Sequence, residues 1–248
     1  LGYQPLANKY LRVNKKLTVK SNELYRLAVG FDNKTKLVSL INKIPDKKMF
    51  DGSYPYKSSM SKTMINSFKK LSLKIKKRFK PKLFFEIGSN DGALIKNFKS
   101  SEVVCVEPCA NLAKITNKKG YYTYSNYWNF SLSKKIKKKF GRADVIYSAN
   151  TLTHINDLDD VFKSIAHMLN KEGVLIIEDP SLLECIKKVS YDQFYNEHIY
   201  IFSALSVKKL INKFELELFD IEKLETHGGS LRYYIKWCQN KKIKIKNS

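Results

Sequence analysis

The sequence predicts an α/β fold, a doubly wound and mostly parallel sheet with an antiparallel edge strand, preceded by a small N-terminal lobe. Three observations predict it. Residues 83–92, LFFEIGSNDG, read as a buried strand running into a glycine turn. A second continuous apolar run, 103–106, ends in Glu107, an acid about 20 residues after the first glycine, the separation at which doubly wound folds recognise a ribose. Beyond it, short apolar runs alternate with helical periodicities, which implies parallel strands buried on both faces and joined by crossover helices.

The elements follow in order. Residues 1–57 carry polar interruptions at Asp32-Asn33-Lys34 and Asp51-Gly52-Ser53 and read as an accessory lobe of strands and turns. Met60, Met64, Phe68 and Leu71 recur at helical intervals with lysines between them, and Pro81 ends that helix. The main domain, residues 58–240, then reads as strand 83–87, helix 93–98, strand 103–106, helix 111–117, a short strand 121–124, strand 144–148, helix 158–169 and strand 174–177. Ser203 caps a helix reaching Phe214. Strands at 216–221 and 231–237, joined by a turn at His227-Gly228-Gly229, supply the antiparallel edge, and residues 241–248 are a basic tail.

At 248 residues and 43% hydrophobic content the chain is globular, long enough for one large α/β domain with an appendage. The formal charge of +23 raises the question of a nucleic-acid partner. The lysines, however, are spread through nearly every segment. Their runs at 69–82 and 134–139 alternate with Leu and Ile as the solvated faces of amphipathic helices do, which argues against nucleic acid. Cys105, Cys109, Cys185 and Cys238 form no CxxC pair and read as reduced thiols of a cytoplasmic protein. No apolar run approaches the roughly 18 residues of a membrane helix, and residue 1 is not Met, so the sequence reads as a fragment or a trimmed chain.

The glycine turn departs from the dinucleotide fingerprint. Only Gly88 and Gly92 are present, and Asn90-Asp91 stands where a further glycine would let the backbone approach a pyrophosphate. A carboxylate at Asp91 repels phosphate. With Glu86 at the strand end, it favours a cofactor carrying positive charge, and S-adenosylmethionine, with its sulfonium and ammonium groups, suits these signs better than NAD.

Further motifs extend the pattern. GYQPLANKYL opens the chain, YPYKSS occupies 54–59, and VEPCAN 106–111 follows EIGSNDG. SANTLTHINDL spans 148–158, YDQFYNEHIYIFS 191–203, and THGGSLR 226–232. In this order and combination the chain resembles the class I S-adenosylmethionine-dependent methyltransferases, and more narrowly the C-methyltransferases of nucleotide-linked 4-keto deoxysugars. The resemblance runs over nearly the whole length. It implies that Glu86, Gly88, Asn90, Asp91 and Gly92 line the methionine end of the cofactor. Glu107 would hold the ribose hydroxyls, Pro108 would also belong to the cofactor site, and Asn150 and Leu152 would sit beside the cofactor. It implies a small-molecule acceptor, a nucleotide-linked ketosugar, and a place in deoxysugar biosynthesis.

Tyr195, Glu197 and His198 are the expected catalytic cluster. Carbon methylation beside a ketone requires removal of a weakly acidic proton, stabilisation of the enolate and in-line attack on the sulfonium methyl. His198 is suited to take the proton near neutral pH, with Glu197 orienting it or serving as the base instead. The tyrosines donate to the developing oxyanion, and the resemblance adds Tyr54 and Tyr56. His227 reads equally as a pocket or a turn residue, and Arg232 is a candidate for substrate binding. His154 reads as a loop or helix-start residue, and His167 lies on an amphipathic helix without a partner.

The chain also departs from that family. Its members open with a zinc lobe of two cysteine pairs, the second in a phrase like FCxxCxLVxL. Here 31–40 reads FDNKTKLVSL, with Asp32 and Thr35 where thiolates would bind, so no metal site is expected. The family continues past HGGSLR into a second α/β domain, whereas this sequence stops at Ser248, so the chain reads as a fragment lacking that domain, as one that needs a partner chain, or as one that uses a smaller acceptor. The alternatives are an O- or N-methyltransferase of a small molecule, an RNA or DNA methyltransferase, and a non-catalytic cofactor-binding module. The nucleic-acid alternative is disfavoured because Ser148-Ala149-Asn150-Thr151 lacks the Asn/Asp-Pro-Pro-aromatic motif of amino-methylating enzymes.

Overall fold

The computed structural model describes residues 1–10 and 23–245. Leu11, which closes the first motif, and residues 246–248 of the basic tail lie outside the described residues. The N-terminal part holds β1 (Tyr3–Gln4), β2 (Tyr25–Arg26), β3 (Val29–Asp32), β4 (Leu37–Leu40) and a one-turn helix α1 (Asp46–Met49). After it come α2 (Lys62–Phe79), β5 (Phe84–Ile87), β6 (Val103–Val106), α3 (Ala110–Lys118), β7 (Tyr122–Tyr124), α4 (Phe130–Phe140), β8 (Ala143–Ala149) and α5 (Leu158–Met168). The chain ends with β9 (Leu169–Pro180), α6 (Leu182–Lys188), β10 (Tyr200–Ile201), α7 (Ala204–Asn212), β11 (Leu216–Leu224) and β12 (Ser230–Trp237).

The central sheet has seven strands in the order β11-β12-β9-β8-β5-β6-β7. Strands β5, β6, β7, β8 and β9 run parallel, while β12 is antiparallel to both β9 and β11. The expected doubly wound sheet with an antiparallel edge is therefore observed. Strand β5 is buried on both faces: Phe84 stacks with Phe98 and Tyr147 in one core cluster, and Phe85 packs on Trp128 in the other. Because β5 lies between β6 and β8, the chain order reverses there, and a crevice opens beyond the C-terminal ends of these strands.

Local signals end the helices where they should. Ser61 accepts a hydrogen bond from the Met64 N–H at the start of α2, which ends in basic residues and a left-handed Lys80 before Pro81. Ser203 and Ser206 form a reciprocal cap on α7.

One reading needs correction. Residues 93–98 form a single 3-10 turn at Ile95–Asn97, not a helix. The Asn97 amide takes the Leu94 carbonyl at 2.8 Å, and Phe98 turns extended to stack on Phe84, ring centroids 4.4 Å apart. A segment this short cannot nucleate a helix against those contacts. The apolar run at 174–177 is the middle of a longer β9, and α6 was not anticipated. In the N-terminal part β10 pairs with β4 in a three-stranded sheet, β10-β4-β3, so residues 200–201, from far along the chain, join these strands. Asp32 turns the β3–β4 hairpin, accepting from the Lys34 N–H and the Thr35 hydroxyl, each at 2.8 Å. None of the described helices is long and apolar enough to cross a membrane.

Candidate active site

The glycine turn after β5 is drawn onto β6: the N–H groups of Gly88 and Ser89 donate to the Val106 carbonyl at 2.8 and 3.3 Å. Gly88 has φ +77, and a Cβ there would overlap the Thr151 side chain, so the turn and the β8 loop approach as closely as only glycine allows. Glu107, one residue past β6, is buried. Its Oε2 accepts from the Asn90 N–H at 2.8 Å and its Oε1 from the Cys109 N–H at 2.9 Å. Burial raises its carboxyl, and these two N–H groups pull it back.

Glu86, the penultimate residue of β5, has a buried Oε2 without a hydrogen-bond partner among the described residues. Burial, then Glu107, Glu178 and Asp91, push its carboxyl well above the usual range. A buried, unmatched acid beside further acids is the environment a ligand cation relieves.

A cavity of about 600 Å³ runs from these strand ends beneath the N-terminal segment, within the size range of small-molecule sites. Its wall includes Glu86, Gly88, Asn90, Glu107, Pro108 and Asn150 at one end, and Tyr54, Tyr56, Tyr195, His198 and His227 at the other. Asp91, Gly92, Leu152, Glu197 and Arg232 are not on that wall. Asp91 instead faces the start of α2, where Ser59 donates to it through both N–H and hydroxyl. Gly92 supplies a left-handed turn at φ +84 packed against Thr116 and Ile95. Leu152 is fully buried in the core. Arg232 points into the sheet layer, where its Nε bonds Glu178 and its guanidinium reaches Glu222 at 2.7 Å.

At the far end, His198 Nδ1 lies 2.9 Å from the Gln193 carbonyl. That carbonyl can only accept, so Nδ1 carries the proton and Nε2 keeps a lone pair. Burial, and then His154, hold the ring well below the ordinary histidine range, so it is neutral near pH 7. The Tyr195 ring packs 4.3 Å from it, centroid to centroid. Burial, and then Glu197, raise the Tyr195 phenol, which keeps its proton.

Glu197 does not orient His198, contrary to the expectation; the Gln193 carbonyl does. The buried Glu197 carboxylate accepts from Asn8 Nδ2 on both oxygens, each at 2.9 Å, and from the Tyr54 hydroxyl at 3.1 Å. Its pKa is raised by burial, against these bonds. Its backbone carbonyl accepts instead from His154 Nδ1 at 2.6 Å. Burial lowers His154 to about 4. Its ring lies 5.1 Å from His198 on the same cavity wall, so His154 is a site residue that loop-level reading passed over. The motif SANTLTHINDL was the available signal for it, as GYQPLANKYL was for Asn8. His227 lines the cavity from a left-handed turn, φ +51, and burial lowers its pKa.

An acid-lined crevice at the switch point of a doubly wound sheet, with an antiparallel edge strand, defines a class I S-adenosylmethionine-dependent methyltransferase. The chain belongs to that family: a profile described as a methyltransferase domain matches residues 56–221. A C-methyltransferase, NovU of Streptomyces niveus, is 29% identical over 213 residues, covering 84% of this chain and 50% of its own length. The chain thus spans about half of that relative. Among solved structures, an S-adenosylmethionine-dependent methyltransferase of Clostridium acetobutylicum superposes with a TM-score of 0.51 at 14% identity, over 70% of this chain and 92% of that one. The CcbJ methyltransferase of Streptomyces caelestis superposes at 0.53 and 11% identity, over 69% and 89%. The cofactor is S-adenosylmethionine. The site fits it: the orphaned Glu86 oxygen answers a cation, and Glu107 stands at the strand end where a ribose is read.

Proposed function

We propose that the protein transfers a methyl group to the carbon beside the ketone of a nucleotide-linked deoxysugar. The observation that carries this reading is the neutral, Nδ1-protonated His198, whose Nε2 has no hydrogen-bond partner among the described residues and whose ring is on the wall of the cavity that also holds Glu86 and Glu107.

When bound, S-adenosylmethionine supplies an electrophilic methyl group on a sulfonium. His198 Nε2 removes the proton from the carbon next to the ketone, breaking the C–H bond, and the electron pair moves toward the ketone oxygen. Tyr195, protonated and without a hydroxyl partner among the described residues, donates to that oxygen as charge develops. Tyr54 is committed to Glu197 and keeps the pocket shape at that end. The enolate carbon would then take the methyl group as the S–CH3 bond breaks and S-adenosylhomocysteine leaves, and the proton stays on His198 until solvent takes it. The 29% identity to a C-methyltransferase supports carbon as the acceptor atom.

The described cavity wall contains no Lys or Arg, and its charged side chains are Asp46, Glu86, Glu107 and Asp192. Such a wall suits an uncharged ketosugar ring and repels a diphosphate. We infer that only the sugar enters, with the phosphates outside. In this reading residues 58–240 carry cofactor and chemistry, and the described residues of 1–57 form the roof.

The test is incubation of the purified chain with S-adenosylmethionine and a panel of nucleotide-linked ketosugars in deuterium oxide. Deuterium entering the carbon beside the ketone, with S-adenosylhomocysteine formed and a new C–CH3 bond in the product, supports the reading. Methyl transfer to oxygen or nitrogen, or no exchange on any ketosugar with cofactor bound, overturns it.

A further inference from the structure

The first described residues cross the cavity and fasten to the segment that carries His198. Strand β1 is held by β2, and the Asn196 amide donates to the carbonyls of Gln4 and Pro5 at 3.4 and 3.2 Å. Lys9 reaches Asp51 at 2.6 Å. Between these anchors Ala7 and Asn8 form part of the cavity wall.

Asn8 is matched to what lies behind it. Its Nδ2 carries two N–H groups and meets three acceptor atoms: both oxygens of Glu197, each at 2.9 Å, and the Tyr54 hydroxyl oxygen at 3.3 Å. Tyr54 in turn donates to Glu197 Oε2, and its own carbonyl is fixed by the Asn111 amide at 2.9 Å. Glu197 is 1% exposed. Removing Asn8 leaves that carboxylate with the Tyr54 hydroxyl as its one side-chain donor among the described residues, a costly state for a buried acid. An aspartate would set a second carboxylate against the first.

We propose that Asn8 is a positioning residue, whose side-chain amide locks the Glu197 carboxylate and the Tyr54 hydroxyl into one arrangement, so that the N-terminal strap completes the active site from across the cavity. Asn8 acts through Glu197. The Tyr54 side chain that Glu197 and Asn8 hold together lines the cavity, so their arrangement shapes the site. This role in turnover rests on the proposed function above; the hold on Glu197 does not.

The test therefore reads Glu197 directly. Carboxyl-labelled glutamate is incorporated into the full chain, and the Glu197 signal is assigned by its loss in Glu197→Gln. Its titration is then followed by carbon-detected NMR without any acceptor present. In Asn8→Ala the Glu197 midpoint is expected to rise by a unit or more, and in Asn8→Asp further still. Calorimetric binding of S-adenosylmethionine serves as the check on folding, and if Asn8→Asp fails it, Asn8→Ala carries the test. With an acceptor in hand, kcat falls at least tenfold, the KM for S-adenosylmethionine stays within twofold, and the acid limb of kcat moves up with the Glu197 midpoint. A purely structural role would not couple the two. A Glu197 midpoint unmoved in Asn8→Ala overturns the proposal whatever the acceptor proves to be. A shifted midpoint supports the hold on Glu197 even if no ketosugar is turned over, an outcome that would count against the proposed function alone.

Discussion

His198 Nδ1 and the Gln193 carbonyl oxygen stand 2.9 Å apart, and this one contact sets the tautomer of the ring that faces the cavity. The partner is a backbone carbonyl and not a carboxylate, and its upward pull on the ring is outweighed by burial and by the neighbouring His154, so the base is free of its proton throughout the neutral range.

Replacing His198 by Gln is expected to lower both deuterium exchange beside the ketone and methyl transfer by at least 100-fold, the scale of a lost general base. Affinity for S-adenosylmethionine should stay within twofold, since the cofactor end of the cavity is built from β5, β6 and β8. Full turnover in this variant would remove His198 from the chemistry and return Glu197 to consideration.

Gly88→Ala tests the turn at the strand end. The substitution places an L residue at φ +77, which costs about 1–2 kcal/mol, and drives its Cβ into Thr151. The expected outcome is a lower Tm and cofactor binding weakened tenfold or more by calorimetry. A Thr151→Gly change in the same chain should recover part of the loss, because it removes the overlapping atoms but not the backbone strain. No recovery would mean that the backbone conformation alone decides.

Much of the fold could be read because β5 and β6 are buried on both faces, so their apolar runs are continuous and unambiguous. The failed helix at 93–98 was unreadable for the opposite reason: the Asn97 amide and the Phe98–Phe84 stack are tertiary choices that periodicity does not encode. In the site, Tyr195, Glu197 and His198 stood out as a cluster, but their partners did not. Asn8 lies 189 residues from Glu197 in the chain, and Gln193 acts through its backbone, which carries no side-chain signal. Arg232 stood as a substrate-binding candidate within the THGGSLR motif, and only the sheet register with Glu178 and Glu222 reveals its burial.

Arg232→Ala separates those two readings. The substitution strands the buried Glu178 without its partner, a loss of about 3–5 kcal/mol, while leaving S-adenosylmethionine affinity in the surviving folded protein unchanged. The acid dependence follows from Glu222, where burial pushes the carboxyl up but Lys74, Arg232 and Tyr234 outweigh it and hold it at about 2. The folded chain therefore binds fewer protons than the unfolded one between an ordinary glutamate value and about 2. The stabilisation is complete above that window and is lost as pH falls through it. Urea unfolding at neutral pH and near pH 3 should show this loss in the parent and a smaller loss in Arg232→Ala. Equal losses would mean that the network does not govern Glu222.

Glu86 leads to a prediction about cofactor binding itself. In the free chain its carboxyl is raised well above the ordinary value, by burial and then by Glu107, Glu178 and Asp91. A cation placed against its unpaired oxygen favours the ionised form and lowers that value, so binding must expel a proton wherever the free chain still holds one. Calorimetry of S-adenosylmethionine binding in buffers of different ionisation enthalpy should register this release. It should be greatest on the acid side and fade as pH rises through the free-chain value, with affinity increasing over the same range. Glu86→Gln, which carries no titratable proton, should bind more weakly and release none. Release that persists unchanged in Glu86→Gln would move the cationic end of the cofactor away from Glu86 and toward another of the acids on the wall.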